Sequence, residues 1–270
     1  MRLRSMIEDI RGTFRRLHAS GTFVLPNPWD VPSAKLLEHL GFPALATTSS
    51  GFAASLGRAD QHVTRDELVG HVALLAAAVR VPISVDAERG YAADPAGVAE
   101  TVRLLAEAGA SGVSIEDYDP DAGHIEPVEA AAERIAAAAS VCRQHGLVLT
   151  GRAENHLYGI ADLPDTIARL SAYREAGASC LYAPGLTDLG DIARVVAEVG
   201  APVNVLAMRT GPSVPQLAGA GVRRVSTGGS LAWAAYGALA DAATELRETG
   251  TSTYLDRALP RPIRDAAFGA

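Results

Sequence analysis

The chain has 270 residues, 48% of them hydrophobic and 5% aromatic, with a formal net charge of −7 at pH 7. That length suits one or two globular domains, and an acidic chain without a dense basic run is not expected to bind nucleic acid. No apolar run approaches the roughly 20 residues of a membrane span; the opening Met1–Glu8 has no apolar signal core, and cysteine is limited to Cys142 and Cys180, so a reducing cytoplasm is expected.

A leading helix is expected over Ile7–Ala19, within a segment 1–20 placed to cap one end of the domain. Short β-rich runs then alternate with Ala/Leu/Arg/Glu segments of helical period. Strands are expected at Phe23–Pro26, Ala44–Ser49, Ile83–Glu88, Gly112–Asp117, Leu147–Glu154, Cys180–Gly185, Val203–Met208 and Arg224–Gly228. Helices fall between and after them, near 31–40, 64–79, 95–108, 127–145, 162–176, 188–199, 213–220 and 230–247. Caps open several of these: Thr64 with Glu67 three residues on, Asp94 before Pro95, Asp162 and Asp188. Pairs such as Ala108-Gly109, Ala176-Gly177, Val199-Gly200 and Ala220-Gly221 end helices before the next strand. The segment 250–270, with Pro260 and Pro262, reads as an extended C-terminal arm. Eight alternating units with no linker point to an α/β fold, a single (β/α)8 TIM-barrel domain over 1–270. The competing doubly wound sheet would want a glycine-rich turn after its first strand, where the chain reads Asn27-Pro28-Trp29-Asp30.

In such a barrel the C-terminal strand ends build the active site. Read in order, they offer Asn27, Trp29 and Asp30; Ser49, Ser50 and Gly51; Asp86 and Glu88; Glu116 and Asp117; Arg152, Glu154 and Asn155; Tyr182; Asn204; and Thr227 to Gly229. Residues two apart in a strand share a side, which would aim Asp86 and Glu88 at one point. Any one strand-end acid can be a helix cap or loop ion pair, but Asp86, Glu88 and Glu116 together read as a site for a hard cation, Mg2+. Arg152 and backbone N–H groups suit the negative ends of a small anionic carboxylate substrate. Tyr182 and Trp29 read as packing at the barrel mouth or as an apolar wall. The remaining histidines, His18, His39, His62, His71 and His145, are expected on helices or exposed loops; His124 and His156 are the two placed to reach a pocket.

An ordered series of motifs resembles the isocitrate lyase/phosphoenolpyruvate mutase superfamily from about Leu25 to Trp233. It comprises Asn27–Ala34, Thr48–Gly51 with Ser55–Asp60, Val85–Tyr91, Gly109–Asp117, Gly123-His124, Gly151–Glu154, Pro202–Val205 and Gly221–Ser226. The resemblance implies a barrel whose last helix is often swapped between subunits of a dimer or tetramer. It also implies Mg2+ or Mn2+, and substrates that pass through a metal-bound enolate of a 2-oxo acid. By the same resemblance Asp86 matches the direct metal ligand, Glu88 replaces a second aspartate, and Glu116 and Asp60 hold the ion's water shell. Ser50 and Gly51, with Ser49 beside them, resemble the cradle for the substrate carboxylate; Arg152 matches the arginine that binds the oxo acid, with Trp29 and Asn204 as further contacts.

Departures from the pattern bear on chemistry. Family lyases carry a loop cysteine as general acid, whereas this chain reads Pro120-Asp121-Ala122-Gly123-His124, and Pro184 stands where lyases have a glutamate. His124 is then the natural acid, with Arg152 and Glu116 as its catalytic companions and Tyr91, Tyr118 or metal-bound water as alternatives. Four readings follow: a carbon–carbon lyase, a decarboxylase or hydrolase of an oxaloacetate-like acid, a phosphonopyruvate-type P–C enzyme, and a non-catalytic binder of 2-oxo acids.

Overall fold

The computed structural model describes residues 2–269, with side chains from residue 7 onward. Helix α1 (Arg2–Leu17) leads to β1 (Phe23–Leu25), α2 (Val31–His39) and β2 (Leu45–Ala46). Next come α3 (Ser49–Ser55), α4 (Arg65–Ala78), β3 (Ile83–Asp86), α5 (Pro95–Glu107) and β4 (Gly112–Glu116). A hairpin of β5 (Tyr118–Asp119) and β6 (His124–Ile125) precedes α6 (Val128–His145), β7 (Val148–Arg152), α7 (Leu163–Glu175) and β8 (Cys180–Tyr182). The chain continues through α8 (Leu189–Val199), β9 (Val203–Leu206), α9 (Val214–Gly219), β10 (Arg224–Ser226) and α10 (Ser230–Thr249). It ends with a 3-10 turn at Thr253–Arg257 and α11 (Arg261–Phe268).

Eight parallel strands form one sheet in the order β1-β10-β9-β8-β7-β4-β3-β2. At the seam, Ala46 N–H donates to Pro26 O at 3.0 Å and Asn27 Nδ2 to Thr47 O at 2.7 Å, so the sheet curls into a nearly closed barrel. This is the expected eightfold α/β architecture, and every expected strand contains an observed one. Strand alternation builds two layers: Ser84/Asp86 and Ser114 border the barrel interior. Val85, Val113 and Leu149 instead pack outward against Val98, Leu105 and Ile135 of the helices. The expected caps form at Thr64, Asp94, Asp162 and Asp188, each accepting a backbone N–H of the first helical turn.

Helix α1 closes the N-terminal end of the barrel. Phe14 packs among Phe23, Leu25, Ala44, Val148 and Cys180, and Arg11 Nε donates to Ala110 O at 2.9 Å. His18 is buried here rather than exposed: Nδ1 lies 2.8 Å from Phe14 O, and Nε2 lies 3.2 Å from Arg224 Nη1. His71, on α4, is likewise buried and stacks on Phe52 at 3.8 Å.

Three stretches differ from expectation. Ser49 does not end a strand but begins α3, capped by Thr48. The segment after β4 folds back as a hairpin, Tyr118 pairing with Ile125. The tail is no extended arm; Pro262 sits in the first turn of α11, where its missing N–H costs nothing, and this helix packs against α2. By contrast α10 buries only Ala232, leaving Trp233, Leu239 and Leu246 more than half exposed. No helix among the described residues is long and apolar enough to cross a membrane.

Candidate active site

A cleft of about 180 Å³ opens at the C-terminal strand ends and descends past Ala46, Ser84 and Ser114 into the barrel, as far as Arg224. These short side chains leave the space. Strand register places the charged groups above them: Glu116 of β4 lies beside Arg152 of β7. Arg152 Nη1 pairs with Asp86 Oδ1 at 2.7 Å and Glu116 Oε2 at 3.1 Å, and Nε donates to Glu154 Oε1 at 2.8 Å. Its Nη2 is left out of these pairings. The guanidinium carbon lies 5.3 Å from the centre of the Tyr182 ring. Asp86 Oδ2 also accepts from Ser49 N–H at 3.2 Å, tying β3 to α3.

The remaining acids are not placed as simple alternation would have them. Strand β3 stops at Asp86, and Glu88 adopts φ +46°, so it does not share the strand's side with Asp86. Glu88 borders a neighbouring hollow with Gln61 and Asp121, and accepts from Tyr91 Oη at 2.7 Å. Burial pushes its carboxyl up to about 7; the Tyr91 hydrogen bond opposes this, while the charges of Asp86 and Asp60 add to it. Asp60 lies on an exposed stretch but lines the cleft, its carboxyl raised by desolvation and then by Asp86. Glu116 is buried; it accepts from Gln61 Nε2 at 3.1 Å, and burial raises its carboxyl well above the usual range despite Arg152. Asp117 points away from the cleft, accepting from Tyr173 Oη at 2.6 Å and from Glu154 N–H at 2.8 Å.

Of the residues expected to contact substrate, Ser49, Ser50, Arg152 and Asn204 line the cleft. Gly51 and Trp29 stand behind it. Gly51 N–H donates to Thr48 Oγ1, and a Cβ there would lie 2.6 Å from Thr48 Cγ2 and 3.0 Å from Trp29 Cβ. Both ends of the Asn204 amide are engaged, Oδ1 with Arg224 Nε and Nδ2 with Ser226 Oγ, each at 2.9 Å. His124 is not brought to the cleft: it is exposed on the hairpin, with Nδ1 3.2 Å from Ile125 O. That hairpin is pinned from both sides. Arg89 pairs with Asp119 at 3.0 Å and Glu126 at 2.6 Å, and Tyr118 stacks on Tyr158 at 3.7 Å. Tyr182, read from the sequence as barrel-mouth packing or an apolar wall, lines the cleft; Arg224, Ser226 and Gln61 were not foreseen, and inward alternation along β9 and β10 is the signal that would have found Arg224 and Ser226.

The acids suit a hard divalent cation. Asp86, Glu116 and Glu154 pair with the single guanidinium of Arg152, Asp60 and Glu88 feel the charge of Asp86, and Gln61 Oε1 is buried with no hydrogen-bond partner. Desolvated carboxylates with oxygen donors alone are of the chemistry such an ion takes. Among the described residues no three His, Cys, Asp or Glu side chains form a complete cage. Mg2+, which keeps several waters and takes one or two carboxylates, does not require one.

The chain matches the family model described as phosphoenolpyruvate phosphomutase over residues 14–247. A protein of uncharacterised function from Mycobacterium tuberculosis (strain H37Rv) is 36% identical over 251 residues, 92% of this chain and 93% of its own. The oxaloacetate decarboxylase of Rhodopseudomonas palustris (strain TIE-1) is 32% identical over 204 residues, 72% of this chain and 70% of its own. Among solved structures, a protein of Burkholderia cenocepacia J2315, provisionally assigned as a lyase/mutase, superposes with a TM-score of 0.94 at 49% identity. That match covers 98% of each chain.

Proposed function

Because the chain belongs to the phosphoenolpyruvate mutase/isocitrate lyase superfamily, we propose that it is a Mg2+-dependent carbon–carbon lyase acting on small 2-oxo or 2-hydroxy carboxylates through an enolate. One observation carries the proposal: Arg152 is held at the strand ends by Asp86, Glu116 and Glu154, with Nη2 left for a substrate carboxylate. Asp86 would hold the ion, with Asp60, Glu88 and Glu116 around its waters. When bound, Mg2+ (or Mn2+) supplies a Lewis acid that draws electron density from the substrate's oxygens. Arg152 is rigid before substrate arrives, so little side-chain entropy is lost when it receives a carboxylate. Ser49, Ser50 and Asn204 border the same small space and limit the substrate to a short acid.

Decarboxylation of an oxaloacetate-like acid is the second form of this chemistry. It is favoured by the hairpin, which carries Ala122 where lyases have their acid and keeps His124 outside the cleft. Carbon dioxide leaves without needing a proton from that loop. The exposed apolar residues of α10 suit burial against a second copy, giving a homo-oligomer that light scattering would register as a multiple of 28.0 kDa. Buried, unpaired Cys142 and Cys180 accord with a reducing cytoplasm.

Proton NMR in D2O with a panel of 2-oxo acids and 2-hydroxy di- and tricarboxylates, each with Mg2+ and with EDTA, tests the proposal. Mg2+-dependent consumption that Asp86→Ala abolishes is the expected result, and the products separate cleavage from decarboxylation. Ligand binding without turnover or exchange would replace the enzyme by a binder, and undiminished turnover in Asp86→Ala would remove the metal assignment.

A further inference from the structure

Arg224 begins β10 and borders the cleft, and its guanidinium cannot shed its charge. Burying a cation is costly unless a counter-charge or strong acceptors compensate it. Among the described residues three arginines are buried, and two of them are compensated in this way. Arg11 donates to the carbonyls of Ala106, Ala110 and His145, at or just beyond the negative ends of α5 and α6. Arg134 pairs with Glu126 at 3.1 Å and donates to the carbonyls of Ala92 and Ala93. Arg224, 3% exposed, meets neither a carboxylate nor a backbone carbonyl among the described residues. Its partners are all uncharged: Asn204 Oδ1 at 2.9 Å, Thr150 Oγ1 at 3.0 Å and neutral His18 Nε2 at 3.2 Å. These bonds use three of the five guanidinium N–H groups and leave one hydrogen on each Nη. A second guanidinium stands higher in the same cleft. Thr150 and Arg152 share one side of β7, about 6.6 Å apart along it, so one cation lies at the strand ends and another near the floor. Three acids meet the upper cation and none meets the lower. Ser84, Ser114 and Ser226 border the floor with short hydroxyl side chains, which leave it open and polar.

We propose that Arg224 is the base of a second anion subsite, which receives the distal carboxylate of a dicarboxylic 2-oxo or 2-hydroxy acid whose other end Arg152 holds at the strand ends. The assignment rests on the substrate chemistry proposed above and narrows it, from small carboxylates in general to diacids short enough for a cleft of about 180 Å³. The distal carboxylate supplies the counter-charge that the fold withholds from Arg224, and the remaining N–H groups donate to it. Asn204, Thr150 and His18 hold the guanidinium before the ligand arrives, so little rotamer entropy is lost on binding. A monoacid of the same length leaves this cation buried and unpaired, which makes the floor a source of discrimination independent of the metal.

Isothermal titration calorimetry on the full-length protein with Mg2+ tests the subsite with matched pairs of acids. 2-Oxoglutarate is compared with 2-oxopentanoate, and malate with 2-hydroxybutyrate; the members of each pair have equal chains and differ in the terminal carboxylate. Where a compound is turned over, kcat/KM replaces affinity. In at least one pair the wild type is expected to prefer the diacid by about tenfold or more, as a charge-assisted hydrogen bond implies. Arg224→Met should bring that ratio to within about threefold of unity, a readout of selectivity that a merely structural role would not move. Arg224→Lys keeps the charge without the planar fork, and its ratio should fall between the two. This variant carries the test if Arg224→Met folds poorly, and a ratio equal to that of the wild type then overturns the assignment. Equal binding of diacid and monoacid by the wild type in both pairs, or a preference that survives Arg224→Met, overturns the subsite and leaves the proposed chemistry standing. If the wild type with Mg2+ neither binds nor turns over any of these acids or those of the wider panel, the proposed function fails and the subsite falls with it.

Discussion

Replacing Arg152 by methionine removes the one cation that Asp86, Glu116 and Glu154 share, while keeping an unbranched side chain of similar length. The Glu116 and Glu154 side chains are only 3% and 1% exposed, so the magnitude is that of a buried pair, not a surface one. Losing one partner of such a pair costs about 3–5 kcal/mol, because the other charge stays buried and uncompensated. Unfolding entropy of about 2.1 cal/mol/K per residue gives roughly 0.57 kcal/mol/K for 270 residues, so the thermal midpoint should fall about 5–9 °C. Differential scanning calorimetry without metal reads this directly, and needs no knowledge of the substrate. Saturating Mg2+ at about 100 times its Kd should return about 2.7 kcal/mol. It should also shift the variant more than the wild type, since the freed acids bind the ion without competition. A variant within about 1 °C of wild type, or one less responsive to Mg2+ than wild type, would refute the claim that Arg152 neutralises this cluster.

His18 titrates the barrel floor: burial, and then Arg224, depress its pKa to about 3. Its folded pKa lies below the unfolded value near 6.5, so stability is full above pH 6.5 and is lost as pH falls toward 3. Between pH 7 and 5 the loss is about 2 kcal/mol in urea unfolding, and His18→Asn should flatten that slope. Gly51→Ala drives a methyl against Thr48 and Trp29 and should cost about 1–3 kcal/mol, seen as a lower midpoint together with weakened turnover. His124→Ala should leave kcat within about threefold, because the ring lies outside the cleft; a larger loss would mean that the hairpin closes over bound substrate.

Much of the barrel was legible because its signals are local. Thr64 with Glu67, or Asp162 before its helix, announces a cap within four residues, and a run such as Ile83–Asp86 needs no distant partner to look like a strand. The site was legible as a list of residues and not as an arrangement. Glu88 follows Asp86 by two positions, yet a positive φ takes it off the strand's side, and period-two reasoning cannot see where a strand stops. The seven residues of α3 are too short to show a helical period. That Arg152 is held by three acids, or that Arg224 sets the orientation of Asn204 and Ser226, depends on register between strands far apart in sequence. Arg224 and Thr150, for instance, are 74 residues apart.

The contact between His18 and Arg224 spans 206 residues, which matters on the ribosome. At about 5–20 residues per second, roughly 10–40 s separate synthesis of these two side chains. Throughout that interval α1 exists without the strand that completes its seat, and Phe14 and Phe23 have only part of their eventual neighbours. The nascent amino-terminal half is thus an open arc with an unfilled apolar seat until the last strand arrives and shuts the ring.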